Sequence, residues 1–291
     1  MSVLSAALPD CDPPPHDPAP AAQALPAGTC DSHFHVFGPQ GRYPLDPRRN
    51  YTPHESSLDD YRRVMRAIGI RRGVIVQPSV YGNDNRATLD ALRSGGADFR
   101  AIAVPAPDVG DAELAEMHAL GVRGVRLNLV NPAMLSVDAT LAILRRTADY
   151  GWHLQVHIDL ARDPATLGPL CEKAGVPVVV DHMGKLAPST RTHALIDLLK
   201  VGACWVKLSA PYRVSALPSP HADLSGLVQA LVEANAERVL WGSDWPHTEL
   251  HDGTPAAAAL AALVHAWLPD EALRRQICVT NPARLYGYPD A

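Results

Sequence analysis

The chain has 291 residues, of which 47% are hydrophobic and 20% charged, a composition typical of soluble globular proteins. Its formal net charge of −5 argues against a nucleic-acid-binding surface, which needs a basic face, so we expect no nucleic-acid partner. No apolar run reaches the ~18 residues that a membrane-spanning helix requires, so we expect no membrane partner either.

The N-terminal residues 1–27 are rich in proline and alanine, which predicts a disordered arm ahead of the folded domain. They lack the basic start and the continuous apolar segment of a secretory signal peptide. The five cysteines are odd in number and form no CxxC pair, which indicates free thiols in a reducing compartment. We therefore predict a cytoplasmic protein in which residues 28–291 form one domain.

From residue 29 onward, short β-branched runs alternate with helical patterns, as is typical of a parallel sheet covered by helices. Strands are predicted at residues 29–37, 73–78, 100–105, 124–129, 152–158, 177–182, 204–209 and 238–242. The helices between and after them are predicted at residues 58–68, 83–94, 111–120, 138–149, 163–173, 190–200, 224–235 and 255–267. No Rossmann glycine fingerprint and no P-loop follows any of these strands. The pattern therefore predicts a single-domain (β/α)8 TIM-type barrel.

Histidines and an aspartate lie where several predicted strands end. His33 and His35 are two residues apart in the first strand, so the strand period of two places both imidazoles on one face. The fifth, sixth and eighth strands end at or near His157, His182 and Asp244. Each of these residues taken alone is explained by ordinary packing. Together, at the end of a barrel where active sites form, they indicate a site that binds a cation or a polar substrate.

These motifs resemble those of the amidohydrolase superfamily, and specifically its amidohydrolase-2 branch. The resemblance rests on the HxH of the first strand, His157, DHMGK at residues 181–185 and GSDWPH at residues 242–247. Within the branch, the runs HVFGP, VQPSVYGNDN, GVRGVRLNL and WVKLSAPYR are similar to those of 2-pyrone-4,6-dicarboxylate lactonases and sulfomuconolactone hydrolases. This resemblance implies a hydrolase that opens a small anionic lactone, as in the catabolism of aromatic compounds.

The resemblance also implies roles for individual residues. Asp244 would take the proton from the attacking water, and His182, with the HxH pair, would stabilise the oxyanion directly or through a metal. Four further side chains would bind the substrate, the two arginines by pairing with its carboxylate or sulfonate: Tyr51, Ser79, Arg126 and Arg213. Each of these four also has a plain structural explanation as a packing residue or a surface charge.

Only some members of the amidohydrolase-2 branch use a metal ion, so the resemblance alone does not decide whether this protein does. Some of its lactonases are metal-free, whereas its decarboxylases and certain lactone hydrolases use one divalent ion. The sequence has His157 where the dicarboxylate lactonase pattern has tyrosine, and this favours one divalent ion, Zn or Mn. Its ligands would be His33, His35, His157 and Asp244. A metal-independent mechanism stays open.

Asn131 and Pro132 stand where the dicarboxylate lactonase pattern has a further basic residue, so a singly charged, sulfonated or sugar-acid lactone fits no worse than the pyrone dicarboxylate. Two other functions stay open. One is a metal-dependent, non-oxidative decarboxylase of the same superfamily, and the other is a non-catalytic barrel that binds a small acid. The sequence does not indicate the oligomeric state.

Overall fold

The computed structural model describes residues 10–15, 18–131, 135–250 and 253–289. Eight parallel strands form one sheet in which neighbours in sequence are also neighbours in space. They are β1 Cys30–Phe34, β2 Arg72–Val76, β3 Phe99–Ala103, β4 Val122–Asn128, β5 His153–His157, β6 Val178–Val180, β7 Trp205–Leu208 and β8 Val239–Trp241. Backbone hydrogen bonds from Asp244 N to His33 O (2.8 Å) and from His35 N to Trp245 O (2.8 Å) join the last strand to the first. The predicted (β/α)8 barrel is confirmed.

Helices surround this barrel. They are α1 Leu58–Ile68, α2 Arg86–Gly95, α3 Asp111–Leu120, α4 Val137–Arg146, α5 Leu167–Ala174, α6 Ala194–Lys200, α7 Ser225–Asn235, α8 Ala257–Trp267, α9 Glu271–Arg275 and α10 Asn281–Tyr286. A π-helical turn, Gln276–Thr280, joins the last two. Within the described ranges, no helix is both long and apolar enough to cross a lipid bilayer.

The C-terminal helices α9 and α10 are absent from the sequence-based prediction. Helix α10 and the residues after it pack at the end of the barrel where the strands begin. Asn281 donates from Nδ2 to Val239 O at the start of β8 (2.7 Å), and the Tyr288 hydroxyl donates to Gly73 O in β2 (2.9 Å). These segments therefore cover the end of the barrel that lies opposite the predicted site.

Strand β5 shows how polar and apolar side chains alternate toward the site. In β5, Leu154 and Val156 belong to the main apolar core, whereas Gln155 points to other polar groups. Gln155 donates from Nε2 to Asp181 Oδ2 (3.1 Å) and accepts from Lys207 Nζ at Oε1 (2.6 Å). This alternation is the period of two expected of a strand, and it places a buried polar layer at the site.

The segment before β1, which composition predicts to be disordered, contacts the barrel in its described part. Cys11 N donates to Thr52 O (2.9 Å), and Leu25 N donates to Ile68 O (3.1 Å). Both side chains are 4% exposed. These contacts join the described residues 10–15 and 18–27 to the barrel, and the disorder of residues 1–27 stays a prediction. Residues 1–9, 16 and 17 lie outside the described residues.

Candidate active site

His33 and His35 lie at the end of β1 with their Nε2 atoms 3.4 Å apart. His35 Nδ1 lies 2.7 Å from Val76 O, and a carbonyl only accepts, so this nitrogen carries the proton of the ring. The Nε2 atom of His35 therefore presents a lone pair toward His33 and Asp244. A fixed tautomer of this kind is typical of imidazoles that bind a metal ion.

Asp244 follows β8, and its side chain is 1% exposed. Its Oδ1 atom lies 3.4 Å from Nε2 of His33, 3.6 Å from Nε2 of His35 and 3.8 Å from Nε2 of His182. Oδ1 has no hydrogen-bond partner among the described residues. Three ring nitrogens thus converge on one carboxylate oxygen at separations longer than ordinary hydrogen bonds.

The other carboxylate oxygen of Asp244 is held by neighbours. The Tyr212 hydroxyl donates to Oδ2 at 2.5 Å, and Arg213 Nε lies 3.4 Å from the same atom. Tyr212 therefore fixes the carboxylate through Oδ2 and leaves Oδ1 facing the histidines.

His182 and His157 complete the group of imidazoles. His182 Nδ1 lies 2.9 Å from Ser209 Oγ, and the rings of His182 and His157 meet edge to face at 5.0 Å. Both ring nitrogens of His157 are buried and lack a hydrogen-bond partner among the described residues. His157 is therefore available to bind a metal ion or a substrate in the site.

The backbone supports this arrangement at an energetic cost. His182 has φ 53° and Asp244 has φ 59°, in the left-handed region that favours glycine. Non-glycine residues in this region cost on the order of 1 kcal/mol each and concentrate at functional sites. The conformation turns both side chains toward the same point.

Burial sets the charge state of the site. It lowers the pKa of His33 to about 4 and the pKa of His182 well below its usual value, so both rings are neutral near pH 7. Burial alone would raise the pKa of Asp244, but its charged and hydrogen-bonding neighbours, Arg213 among them, lower that pKa by more. The site thus combines an ionised carboxylate with neutral imidazoles.

A buried ion pair lies behind His33. Asp181 Oδ1 lies 3.2 Å from His33 Nδ1 and 3.5 Å from Lys207 Nζ, and all three side chains are fully buried. Lys207 also donates to Ser32 O at 2.9 Å. Burial lowers the pKa of Lys207 to about 8, although Asp181 opposes the shift. This network orients the His33 ring from its far side.

The donor atoms fit a divalent cation. The candidate ligand atoms of His33, His182 and Asp244 all lie within 4.8 Å of one another. Neutral imidazole nitrogens and an unpartnered carboxylate oxygen are the donors that Zn and Mn take in proteins. The resemblance assigns ligation to the HxH pair, His157 and Asp244, and the geometry adds His182 to these candidates.

A small cavity opens onto these residues at the C-terminal ends of the strands. Its lining comprises His35, Tyr51, Ser79, Arg126, Asn128, Asn131, His157, His182, Arg213, Asp244, Thr248 and Glu249. All four predicted substrate-binding residues and four of the five predicted histidine and aspartate residues are in this set; the remaining one, His33, lies directly behind them. A larger groove over α1 and α2 has no histidine in its lining.

Comparison with known proteins decides the family. A model of the Amidohydrolase family (Amidohydro_2) matches residues 30–288, which contain all eight strands of the barrel. The chain belongs to the amidohydrolase family. This confirms the relationship that the strand-end motifs predict.

Relatives of this amidohydrolase include lactone hydrolases. It is 36% identical to the 4-sulfomuconolactone hydrolase of Hydrogenophaga intermedia, over 96% of this chain and 95% of that protein. It is 34% identical to the 2-pyrone-4,6-dicarboxylate hydrolase of Comamonas testosteroni, over 90% of this chain and 91% of that protein. A crystal structure from Agrobacterium tumefaciens matches with a TM-score of 0.79 at 28% identity, covering 93% of this chain and 100% of that one.

The two arginines of the amidohydrolase cavity have different surroundings. Arg126 is 4% exposed, donates from Nη1 to Gln77 O (2.9 Å), and has an Nε without a partner among the described residues. Arg213 instead pairs with Glu249 (Nη1 to Oε2, 2.6 Å) and donates from Nη2 to Thr248 O (2.8 Å). The structure therefore leaves Arg126 freer than Arg213 to bind a substrate anion.

The other two predicted substrate-binding residues lie side by side. Burial raises the pKa of Tyr51, an effect that the neighbouring Ser79 partly offsets, and Ser79 Oγ accepts from Asn131 Nδ2 at 2.8 Å. Asn131 is 9% exposed, so the position that lacks a basic residue carries a buried amide. Pro132 lies outside the described residues.

Tyr212, Thr248 and Glu249 are site residues that the sequence analysis does not single out. Tyr212 lies in the run WVKLSAPYR, next to Arg213. Its position beside a predicted substrate-binding residue is the one feature of the sequence that indicates a role in the site. Thr248 and Glu249 follow the GSDWPH motif in a loop, where no periodicity predicts the direction of a side chain.

Proposed function

We propose that this amidohydrolase opens a small anionic lactone by attack of water on the ring carbonyl. The main support is the state of Asp244: its carboxylate is buried and ionised, and it lines the same cavity as Arg126. Its Oδ1 atom lacks a hydrogen-bond partner among the described residues. A carboxylate in this state accepts a proton from water. The names of the two relatives, both lactone hydrolases, support the same reaction.

Asp244 serves as the general base. Its Oδ2 is engaged by Tyr212, so Oδ1 is the oxygen that receives the proton from water as the water oxygen attacks the carbonyl carbon. The ring C–O bond then breaks, and the released alkoxide or enolate takes up a proton. The product is the open-chain carboxylate, and the attacking water contributes one oxygen atom to it.

Arg126 binds the anionic group of the substrate. A guanidinium offers parallel N–H donors to a carboxylate or a sulfonate, and the Nε of Arg126 is buried without a partner among the described residues. Ser79 and Tyr51 lie in the lining of the same cavity and supply hydroxyl groups to the ring substituents.

One divalent ion, Zn or Mn, fits the donor set, with His33, His35 and Asp244 as ligands and His182 or His157 as the further ligand. The proton on His35 Nδ1 supports this, because an Nε2 lone pair binds a cation and cannot donate a hydrogen bond to an oxyanion. When bound, such an ion polarises a carbonyl and lowers the pKa of water. Asp181 and Lys207 then orient the ring of His33.

A screen of lactones in 18O-labelled water tests the reaction. Lactones with a carboxylate or a sulfonate are incubated with the full chain, proton release is followed at constant pH, and the products are analysed by mass spectrometry. We expect one 18O atom in the carboxylate product and no CO2. Release of CO2 without 18O incorporation would replace hydrolysis with decarboxylation. Absence of turnover with every anionic lactone would contradict the proposed function.

A further inference from the structure

Glu249 pairs with Arg213, one of the two arginines in the lining of the cavity. Its Oε2 lies 2.6 Å from Arg213 Nη1, while Thr248 accepts from Nη2 and Asp244 lies 3.4 Å from Nε. The guanidinium thus meets two carboxylates of its own chain. Its positive charge is neutralised before any substrate binds.

The Glu249 carboxylate is held in place from several sides. Its Oε1 accepts from Asn50 Nδ2 at 3.0 Å, and its backbone N–H lies 3.3 Å from Cys11 Sγ in the N-terminal arm. The residue has φ 63°, in the left-handed region, and its side chain is 31% exposed. The carboxylate therefore lies at the mouth of the cavity as a fixed anion, and it is part of the cavity lining.

Arg126 has no comparable counter-ion among the described residues. The nearest carboxylate oxygen there, Asp181 Oδ2, lies 3.8 Å from its Nη2, and Asp181 also pairs with Lys207. Across the cavity, Asn131 presents an uncharged amide to Ser79. Within the described lining, Arg126 is therefore the one arginine available to pair with an external anion.

We propose that Glu249 is a specificity-determining residue, which restricts this site to lactones with a single anionic group. The inference rests on the proposed function and deepens it. Arg126 binds the one carboxylate or sulfonate of the substrate. A second anionic group would lie near Arg213 and would meet the like charge of Glu249, which disfavours binding.

The role of Glu249 is tested with two pyrones that differ by one carboxylate: 2-pyrone-6-carboxylate and 2-pyrone-4,6-dicarboxylate. Their kcat/KM values are measured with the full chain and with Glu249→Gln, and their binding is measured by calorimetry with the same proteins. Glutamine keeps the length of the side chain and can still accept from Arg213, while the Asn50 amide can rotate to match it. Glu237→Gln is the control, because Glu237 also pairs with an arginine, Arg284, but precedes β8 at the opposite end of the barrel.

The wild-type chain is expected to prefer the monocarboxylate. Glu249→Gln should shift the ratio of kcat/KM values toward the dicarboxylate by about tenfold or more, mainly through KM, because a like charge near the second carboxylate is removed. Glu249→Asp, which keeps the charge, and Glu237→Gln should leave the preference for the monocarboxylate in place.

An unchanged ratio in a folded Glu249→Gln protein, or a wild-type preference for the dicarboxylate, would overturn the inference while leaving lactone hydrolysis intact. If wild-type protein hydrolyses neither pyrone nor any other anionic lactone, the proposed function itself fails. Calorimetry distinguishes failure of the inference about Glu249 from failure of the proposed function, because it measures which of the two pyrones the cavity binds more tightly even without turnover. Thermal unfolding of each variant shows that it is folded.

Discussion

In the proposed mechanism the two carboxylate oxygens of Asp244 have different tasks: Tyr212 donates to Oδ2, and Oδ1 takes the proton from water. We predict that Tyr212→Phe lowers kcat about tenfold with a smaller effect on KM, because the carboxylate loses the donor that fixes Oδ2. Loss of a donor to the ionised form also raises the pKa of Asp244, so the acidic limb of the pH–rate profile should move to higher pH. Steady-state kinetics across the acidic and neutral range would measure both effects.

The control for this variant is Tyr150→Phe, whose ring stacks on His118 away from the cavity. It should keep the wild-type profile. A Tyr212→Phe enzyme with lower kcat and an unshifted acidic limb would show that Tyr212 acts on something other than the carboxylate.

In the proposed function, Arg126 recognises the anionic group of the substrate. Arg126→Gln should raise KM by about tenfold to a hundredfold and change kcat less, because it removes a charge-assisted contact that the substrate keeps throughout the reaction. Arg146→Gln is a suitable control, since Arg146 pairs with Asp111 on the surface. Equal loss in kcat and kcat/KM would place Arg126 among the groups that act on the transition state instead.

At the scale of secondary-structure elements, the site depends on how closely β8 approaches β1. A Cβ atom on Gly242 would lie 2.7 Å from the His33 Cβ and 3.0 Å from the His33 backbone nitrogen. Gly242→Ala should therefore push His33 and Asp244 apart and lower kcat at least about tenfold, since small displacements at a catalytic group have large effects.

Gly168→Ala is the matched control for this substitution. Gly168 lies in α5, and an alanine methyl there would meet no side chain or neighbouring element within 4 Å. Alanine should therefore leave kcat unchanged and raise stability by up to about 1 kcal/mol. Activity assays and thermal melts compare the two variants. Full activity in Gly242→Ala would show that the contact between β1 and β8 does not position the site.

The barrel elements follow from sequence because each strand is a short apolar run between helical patterns. The same regularity explains why the strand-end residues His33, His182 and Asp244 meet, since parallel strands bring their ends to one rim. Local details do not follow in this way. Helix α6 begins at Ala194, later than predicted, because the His193 ring caps it through Leu195 N.

Loop side chains are the other part of the site that the sequence does not predict. Tyr212 reaches Asp244 from a short 3-10 turn, Pro211–Arg213, and Glu249 reaches Arg213 from a loop in a left-handed conformation. In the N-terminal arm, Cys11 and Leu25 are buried, which the overall composition of the segment does not predict.

At the scale of the whole molecule, buried neutral histidines make stability depend on pH. Burial lowers the pKa of His153 to about 3, and neither ring nitrogen has a hydrogen-bond partner among the described residues. An unfolded chain protonates this ring below about pH 6.5, whereas the folded chain does not. Stability is therefore complete above that pH and falls toward pH 3, by about 1.4 kcal/mol per pH unit for one such ring.

His153→Leu should weaken this dependence. Thermal melts at about pH 8, 6 and 5 would measure it, with the most alkaline melt as the reference for each protein. We expect the melting temperature of the variant to fall less across this range than that of the wild type. Equal falls in both proteins would show that other groups control the acid sensitivity.

Asp244 is the group on which the proposed lactone hydrolysis most directly depends. The most direct test is the hydrolysis of an anionic lactone by Asp244→Asn, compared with wild-type protein at the same pH. We predict a loss in kcat on the order of a thousandfold, because the amide cannot take a proton from water. A folded Asp244→Asn protein that hydrolyses the lactone at the wild-type rate would contradict the account.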